Sequence, residues 1–260
     1  MNTLSSHDGT TIAYGKQGEG PALILVDGAL TVHSSGSGPE LAKLLAPHFT
    51  VYGFDRRGRG ESGDTLPYAV DREIDDVEAL IDRAGGSAFL YGHSSGGPLA
   101  MRAAIRLGSK VSKIAMYEPP YNNDPGAQES WSQYLGQLRE ALAEGRRGDA
   151  VAPFMRFVGT PAEQIDGMRR APFWPGMEAV APTLAYDHAA ILGEPWSVPA
   201  ELFSATRRPN SLKPSTTTRS ASLAAARSSR NALTAPPSSK SRLKWVFDWP
   251  ACVSYPPWTV

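Results

Sequence analysis

The chain has 260 residues, with 26 Lys+Arg balanced by 26 Asp+Glu and a formal net charge of +0. That length fits one α/β domain carrying an inserted helical block, and the even charge gives no general pull toward nucleic acid, acidic lipid or a charged substrate. A single cysteine, Cys252, excludes an internal disulfide, and no stretch approaches the roughly 20 apolar residues of a membrane span; a cytoplasmic protein without membrane contact is expected.

Taken in order, Thr11–Gln17 reads as an outer strand after the turn His7-Asp8-Gly9. Ala22–Val26 (ALILV) is an unbroken apolar run, the pattern of a strand covered on both faces. Thr50–Asp55, Ser87–Tyr91 and Lys113–Tyr117 are further short strands. Between them, Arg72–Ala84 spaces Ile74, Val77, Leu80 and Ile81 as a helix, with acids gathered toward its N-terminal end where the dipole favours them. Ser95–Leu107 is a second helix. Alternating strands and helices predict a doubly wound, mostly parallel sheet in residues 1–123.

After Tyr117 the rhythm changes. Residues 124–195 hold no strand candidate and read as consecutive helices, the form of a lid or cap inserted after a strand, although a helical C-terminal domain would read the same. Trp131, Tyr134, Leu135, Leu138 and Leu142 make one apolar stripe. Thr160-Pro161-Ala162-Glu163 has the form of a capping box with proline at the first helical position. Trp131, Phe154, Phe157, Phe173 and Trp174 are candidates for an apolar pocket wall, although most aromatics in helices are core.

The chemistry centres on Gly92-His93-Ser94-Ser95-Gly96, between the strand ending at Tyr91 and the helix opening at Ser95. A serine hydroxyl on a sharp strand-to-helix turn needs small flanking residues, because strand and helix nearly touch there. The helix N-terminus directs free N–H groups at the reacting atom, so the N–H of Ser95 is one candidate oxyanion donor. His93, next to the serine, is expected to pack rather than act as a base. Gly58-Arg59-Gly60-Glu61-Ser62-Gly63 matches a dinucleotide fingerprint in letters only, since Asp64-Thr65-Leu66-Pro67 separates it from any helix.

Three segments between Leu4 and Gly193 together make the chain resemble the α/β-hydrolase superfamily, and within it the small lidded serine hydrolases. They are Gly92–Gly97 (GHSSGG), Asp55–Ser62 (DRRGRGES), similar to the family's D-x-R-G-x-G-x-S turn, and Val26-Asp27-Gly28-Ala29 at the place of its His-Gly oxyanion loop. The resemblance implies Ser94 as nucleophile and the N–H groups of Ala29 and Ser95 as oxyanion donors. In this loop Asp27 stands where the family usually has histidine. Glu118, at the end of the strand Lys113–Tyr117, is either the triad acid or else a carboxylate at the site mouth or a lid hinge partner. No cofactor and no metal is implied, and the partner expected is a small-molecule substrate.

The same family order, Ser then Asp or Glu then His, is not completed. The five histidines are His7, His33, His48, His93 and His188, and none follows. His33 and His188 are the remaining candidates for a replacement base. From Ser204 to Arg242 the chain has no acid, no aromatic and no Val or Ile, so the family's last parallel strands have no counterpart there and residues 196–260 read as a disordered or frameshifted tail. The eight Lys/Arg of Ser204–Arg242, without an acid, would also suit a nucleic-acid arm, but the aromatic-poor filling equally suits unselected sequence, and no nucleic acid is expected. A shifted reading frame predicts that translating the coding sequence beyond about codon 195 in another frame restores a strand, an acid and a late histidine. On this reading the chain is a serine hydrolase for a small ester-like or acyl substrate, impaired for want of its histidine, or else a non-catalytic small-molecule-binding relative.

Overall fold

The computed structural model describes residues 1–121, 125–191 and 244–248. Seven strands form one sheet: β1 (Asn2–Ser5), β2 (Thr11–Gln17), β3 (Ala22–Val26), β4 (Thr50–Phe54), β5 (Ala88–His93), β6 (Val111–Tyr117) and β7 (Lys244–Asp248). Their order is β1-β2-β4-β3-β5-β6-β7. The pairs β4/β3, β3/β5 and β5/β6 are parallel, whereas β1, β2 and β7 run antiparallel to their neighbours. The doubly wound, mostly parallel sheet expected from the sequence is therefore the observed architecture.

The apolar run of β3 lies at the sheet's centre because both faces are covered. Ile24 and Val26 join Tyr52, Leu90 and the buried sides of α2 (Val70–Arg83) and α3 (Gly96–Leu107) in one core. Leu23 and Leu25 point the other way, onto Ala42 of α1 (Gly38–Leu45) and Val51. Period-two alternation within an all-apolar strand thus feeds two layers.

Neither α1 nor β1 was expected. The first opens on Gly38-Pro39, with proline in the tolerated first turn, and only a short amphipathic stretch follows. Without the family's last parallel strands β6 would be left as a bare sheet edge, and it is not. Lys244–Asp248 pairs antiparallel along Lys113–Tyr117, so a segment with a short apolar centre covers the ladder that the parallel strands of the family would otherwise cover. No parallel strand beyond β6 occurs among the described residues; the rest of the segment 196–260 lies outside them.

Among the described residues five α-helices follow β6: α4 (Pro125–Ala143), α5 (Arg147–Phe157), α6 (Ala162–Arg169), α7 (Trp174–Val180) and α8 (Leu184–Ile191). They share their own apolar cluster, including Trp131, Tyr134, Leu138, Val151, Trp174 and Leu184. The capping box at Thr160 does not form: Pro161 is itself the N-cap of α6, and no side-chain cap bond is made.

The Asp55–Ser62 turn is a structural knot that fixes the edge of the site. Asp55 accepts from the backbone N–H groups of His33 and Glu61, and the Ser62 hydroxyl donates to the Asp55 carbonyl at 2.6 Å while accepting from the Ala13 N–H. Gly60 has φ +52°, and a Cβ there would collide with the Asp55 carboxylate. The helix after this turn opens only at Val70, so the glycines make a turn and not the phosphate-binding start of a helix.

Candidate active site

Ser94 sits between β5 and α3 in the left-handed region, φ +48°, a conformation a non-glycine residue adopts only where its surroundings enforce it. Here the Ser94 N–H donates to the Tyr117 carbonyl at 2.9 Å and the Gly97 N–H to the Ser94 carbonyl at 3.0 Å. Flanking glycines are sterically required. A Cβ at Gly92 would lie 2.5 Å from the Cα of Gly97, and one at Gly96 would strike the carbonyl oxygen of Val26. Two other non-glycine residues take positive φ, Leu30 (58°) and Glu118 (50°). Backbone strain among the described residues is thus confined to three loop segments at the C-terminal ends of parallel strands, where ligands bind in open α/β sheets.

The loop after β3 lies directly against the serine. A Cβ on Gly28 would be 3.0 Å from the Ser94 Cβ and 3.6 Å from its Oγ. Ala29, one residue on, is part-buried against the helical cluster. Ser95 is the N-cap of α3, whose first turn carries no acid of its own, and its hydroxyl donates to the Asp187 carboxylate at 3.0 Å. The loop after β3 and the opening of α3 thus converge on Ser94.

Ser94 opens onto a cavity of about 620 Å³ whose wall includes Glu118, Tyr134, Gln137, Arg156 and Phe157. That size suits a small organic substrate. Of the five aromatics singled out from the sequence, Phe157 lines it. Trp131 and Trp174 are buried in the helical core, Phe154 packs against that core, and Phe173 is exposed. Tyr134, Gln137 and Arg156 were not foreseen, because their neighbourhood with Ser94 arises only when α4 and α5 fold over the sheet.

No histidine is part of that wall. His33 Nδ1 lies 3.0 Å from Asp55 and faces a separate cavity on the α1 side, beside Asp27. His188 is half-buried, with Nε2 3.0 Å from the Tyr134 hydroxyl, and desolvation lowers its pKa to about 4 despite the neighbouring Asp187. His93 packs against the Tyr117 ring, and burial lowers its pKa while Glu118 opposes the shift. Glu118 shares the Ser94 cavity. The only described cluster of three potential metal-ligating side chains, His7, Asp75 and Glu78, is remote from it on the α2 side.

A buried ionic cluster backs the site. Arg56 grips Glu73 with two N–H donors, at 2.9 and 2.8 Å, and reaches Asp187 at 2.6 Å. Arg59 donates to Asp187 at 2.8 Å and to the Gly28 carbonyl at 2.6 Å. Burial by itself would raise the Asp187 pKa, but Arg59 and Arg56 outweigh it and hold the carboxyl below the ordinary carboxylate range.

Asp27 is different: among the described residues its carboxylate makes no hydrogen bond, and burial pushes its pKa up to about 6 although Arg56 and Arg59 pull it down. The folded protein therefore holds a proton between about pH 4 and 6 that the unfolded chain has released, and stability falls as pH rises through that window. Asp27→Asn removes the ionisation cost. It is expected to stabilise the protein at pH 7.5 by at most about 3 kcal/mol, at ~1.4 kcal/mol per pKa unit, with the gain vanishing near pH 4. Urea denaturation at a series of pH values measures this; a pH-independent difference would contradict it.

The α/β hydrolase family profile matches residues 29–256. The chain belongs to the α/β-hydrolase family. Among solved structures, an α/β hydrolase from Sphaerobacter thermophilus is 49% identical, covering 78% of this chain and 77% of that one, with a TM-score of 0.70. The N-formylmaleamate deformylase of Pseudomonas putida is 32% identical over 149 residues, 55% of this chain and 53% of that protein. The pimeloyl-[acyl-carrier protein] methyl ester esterase of Nitrosospira multiformis is 30% identical over 170 residues, 60% of this chain and 62% of that protein. The chain thus spans about half to three-fifths of the curated relatives it matches. No helix among the described residues is long and apolar enough to cross a membrane.

Proposed function

We propose that this α/β hydrolase binds a small ester-like or acyl molecule in the Ser94 cavity and that Ser94 attacks its carbonyl carbon. The observation that carries the reading is Ser94 at φ +48°, opening into a cavity of about 620 Å³ from the N-terminal turn of α3. Ser94 Oγ forms the new bond to carbon, and the carbonyl oxygen takes up the negative charge between the Ala29 and Ser95 N–H groups. The proton lost from Ser94 Oγ passes to solvent water. The carbonyl carbon's bond to the leaving group breaks, and that group takes up a proton and departs as an alcohol or amine. A water molecule then hydrolyses the acyl-Ser94 ester to release the acid. Glu118, in the same wall, serves as a carboxylate at the mouth of the site. Helices α4–α8 form the lid, and the relatives' activities on an N-formyl amide and a methyl ester, as their names state, lie within the same acyl chemistry.

Turnover is slow in this reading. The nucleophile's proton needs an acceptor, and none of the chain's five histidines lines the cavity. An ordinary turnover of roughly 10 s⁻¹ reduced about 10⁶-fold by loss of the base gives about 10⁻⁵ s⁻¹. Steady-state hydrolysis of p-nitrophenyl acetate tests this: turnover above about 1 s⁻¹ that disappears in Ser94→Ala would show that a base does serve Ser94. The same absence supports a second reading, a non-catalytic protein that keeps the cavity for binding. That reading predicts ligand-induced thermal stabilisation that is undiminished in Ser94→Ala.

A further inference from the structure

Asp187, on α8, was not singled out by any motif, yet its carboxylate touches both walls of the site. Oδ1 accepts from the Ser95 hydroxyl at 3.0 Å and from Arg56 Nη1 at 2.6 Å; Oδ2 accepts from Arg59 Nη2 at 2.8 Å. The same two arginines reach on to the loop after β3. Arg56 Nη1 donates to the Asp27 carbonyl at 3.3 Å, and Arg59 Nη1 to the Gly28 carbonyl at 2.6 Å, which also accepts from the Thr31 hydroxyl at 2.6 Å. Arg59 Nε is held by Thr183, just before α8. All three ionic side chains are essentially fully buried.

We infer that Asp187, acting through Arg59 and Ser95, is the positioning residue that sets the two backbone N–H groups facing Ser94, so that α8 must be docked for the carbonyl-binding site to exist. The catalytic meaning of this rests on the acyl-transfer reading above; the positioning itself does not. In a trans peptide the C=O and N–H point in opposite directions. Two donors clamped on the Gly28 carbonyl therefore direct the Ala29 N–H to the opposite side of that peptide. Withdrawal of density from the carbonyl also strengthens the N–H as a donor. On the other wall, the Ser95 hydroxyl bond fixes the residue whose N–H is the second donor. A buried ionic cluster adds little stability over an apolar replacement, and a role in fixing one geometry accounts for it better. Arg59 has the fork that spans Asp187 and Gly28 together; a lysine ammonium keeps the charge without the fork.

The experiment compares the parent with Arg59→Lys, Ser95→Ala and Asp187→Asn, in the full chain. Two readouts are taken: the backbone ¹⁵N–¹H resonances of Ala29 and Ser95, and the rate at which an alkyl fluorophosphonate modifies Ser94. Ser95→Ala removes one arm and no charge, so it covers the case in which Asp187→Asn does not fold. The expected result is displacement of the Ala29 resonance in Arg59→Lys and of the Ser95-position resonance in Ser95→Ala beyond that of a conservative change at a distant core site. Asp187→Asn displaces both. The phosphonylation rate falls about tenfold or more, since loss of a whole oxyanion donor costs roughly 10²–10³. Folded variants whose Ala29 and position-95 amides match the parent would overturn the inference. A parent that is never phosphonylated, with amides that still move in the variants, would leave the positioning intact and sink the acyl-transfer reading instead.

Discussion

Gly96→Ala is expected to be among the most damaging single substitutions in the protein. The added methyl meets main chain on the neighbouring strand: the Val26 carbonyl oxygen first, then its carbon at 2.6 Å and the Asp27 carbonyl oxygen at 2.8 Å. These atoms belong to the last residue of β3 and the residue after it, and β3 is hydrogen-bonded on both sides at the sheet's centre, so β3 cannot retreat without breaking a ladder. Overpacking of side chains commonly costs about 1–3 kcal/mol; a clash with two main-chain carbonyls is expected to exceed about 4 kcal/mol. At ~2–4 °C per kcal/mol for a domain of this size, the midpoint drops by roughly 10–15 °C or the chain fails to fold. Gly136→Ala is the matched control. Gly136 lies on the exposed face of α4 with nothing near its Cβ, and that change is expected to stabilise by about 0.5–1 kcal/mol. Circular-dichroism melts of the two variants decide the matter: similar midpoints would contradict the packing described for the serine turn.

Arg57→Met is the second large effect. Arg57 is fully buried, forks onto Asp76 at 2.8 and 2.7 Å, donates to Asp8 at 3.0 Å and to the Arg72 carbonyl at 2.9 Å. Burial already raises the Asp76 pKa against the pull of Arg57. Removal of the guanidinium leaves a buried carboxylate without its counter-charge, which costs about 3–5 kcal/mol. The double variant Arg57→Met/Asp76→Leu is expected to recover most of that loss, because an apolar pair carries no desolvation penalty. Recovery in urea midpoints identifies the cause as an orphaned charge; a double variant as unstable as the single one would point to the Arg72 carbonyl and Asp8 bonds instead.

Much of this architecture is legible from residues alone. Four of the central strands, β3 to β6, are short apolar runs that tolerate no other reading, and the serine turn follows from Gly92, Ser94 and Gly96 between a strand and a helix. Less visible were the pieces whose identity depends on partners far along the chain. β1 (NTLS) and β7 (KWVFD) are edge strands, each completed by one neighbour, and neither has the length or pattern to stand out. The ionic cluster is less visible still. Arg56 and Arg59 read as ordinary members of a turn motif, and Asp187 meets them only across separations of 131 and 128 residues. A signal was nevertheless present: two arginines beyond the motif's own Arg57, placed directly after a buried strand, need buried carboxylates to accompany them. The cavity wall was out of reach for the same reason, since Tyr134, Gln137 and Arg156 are neighbours of Ser94 through folding and not through sequence.

Ser94 is the centre of the account, and covalent labelling tests it most directly. The full chain is incubated with an alkyl fluorophosphonate at mildly alkaline pH, where the missing base matters least, and the modified peptide is located by mass spectrometry. One phosphonyl group on Ser94, absent in Ser94→Ala, is the result predicted. A folded chain left unmodified at Ser94, or one labelled to the same extent in Ser94→Ala, would contradict it.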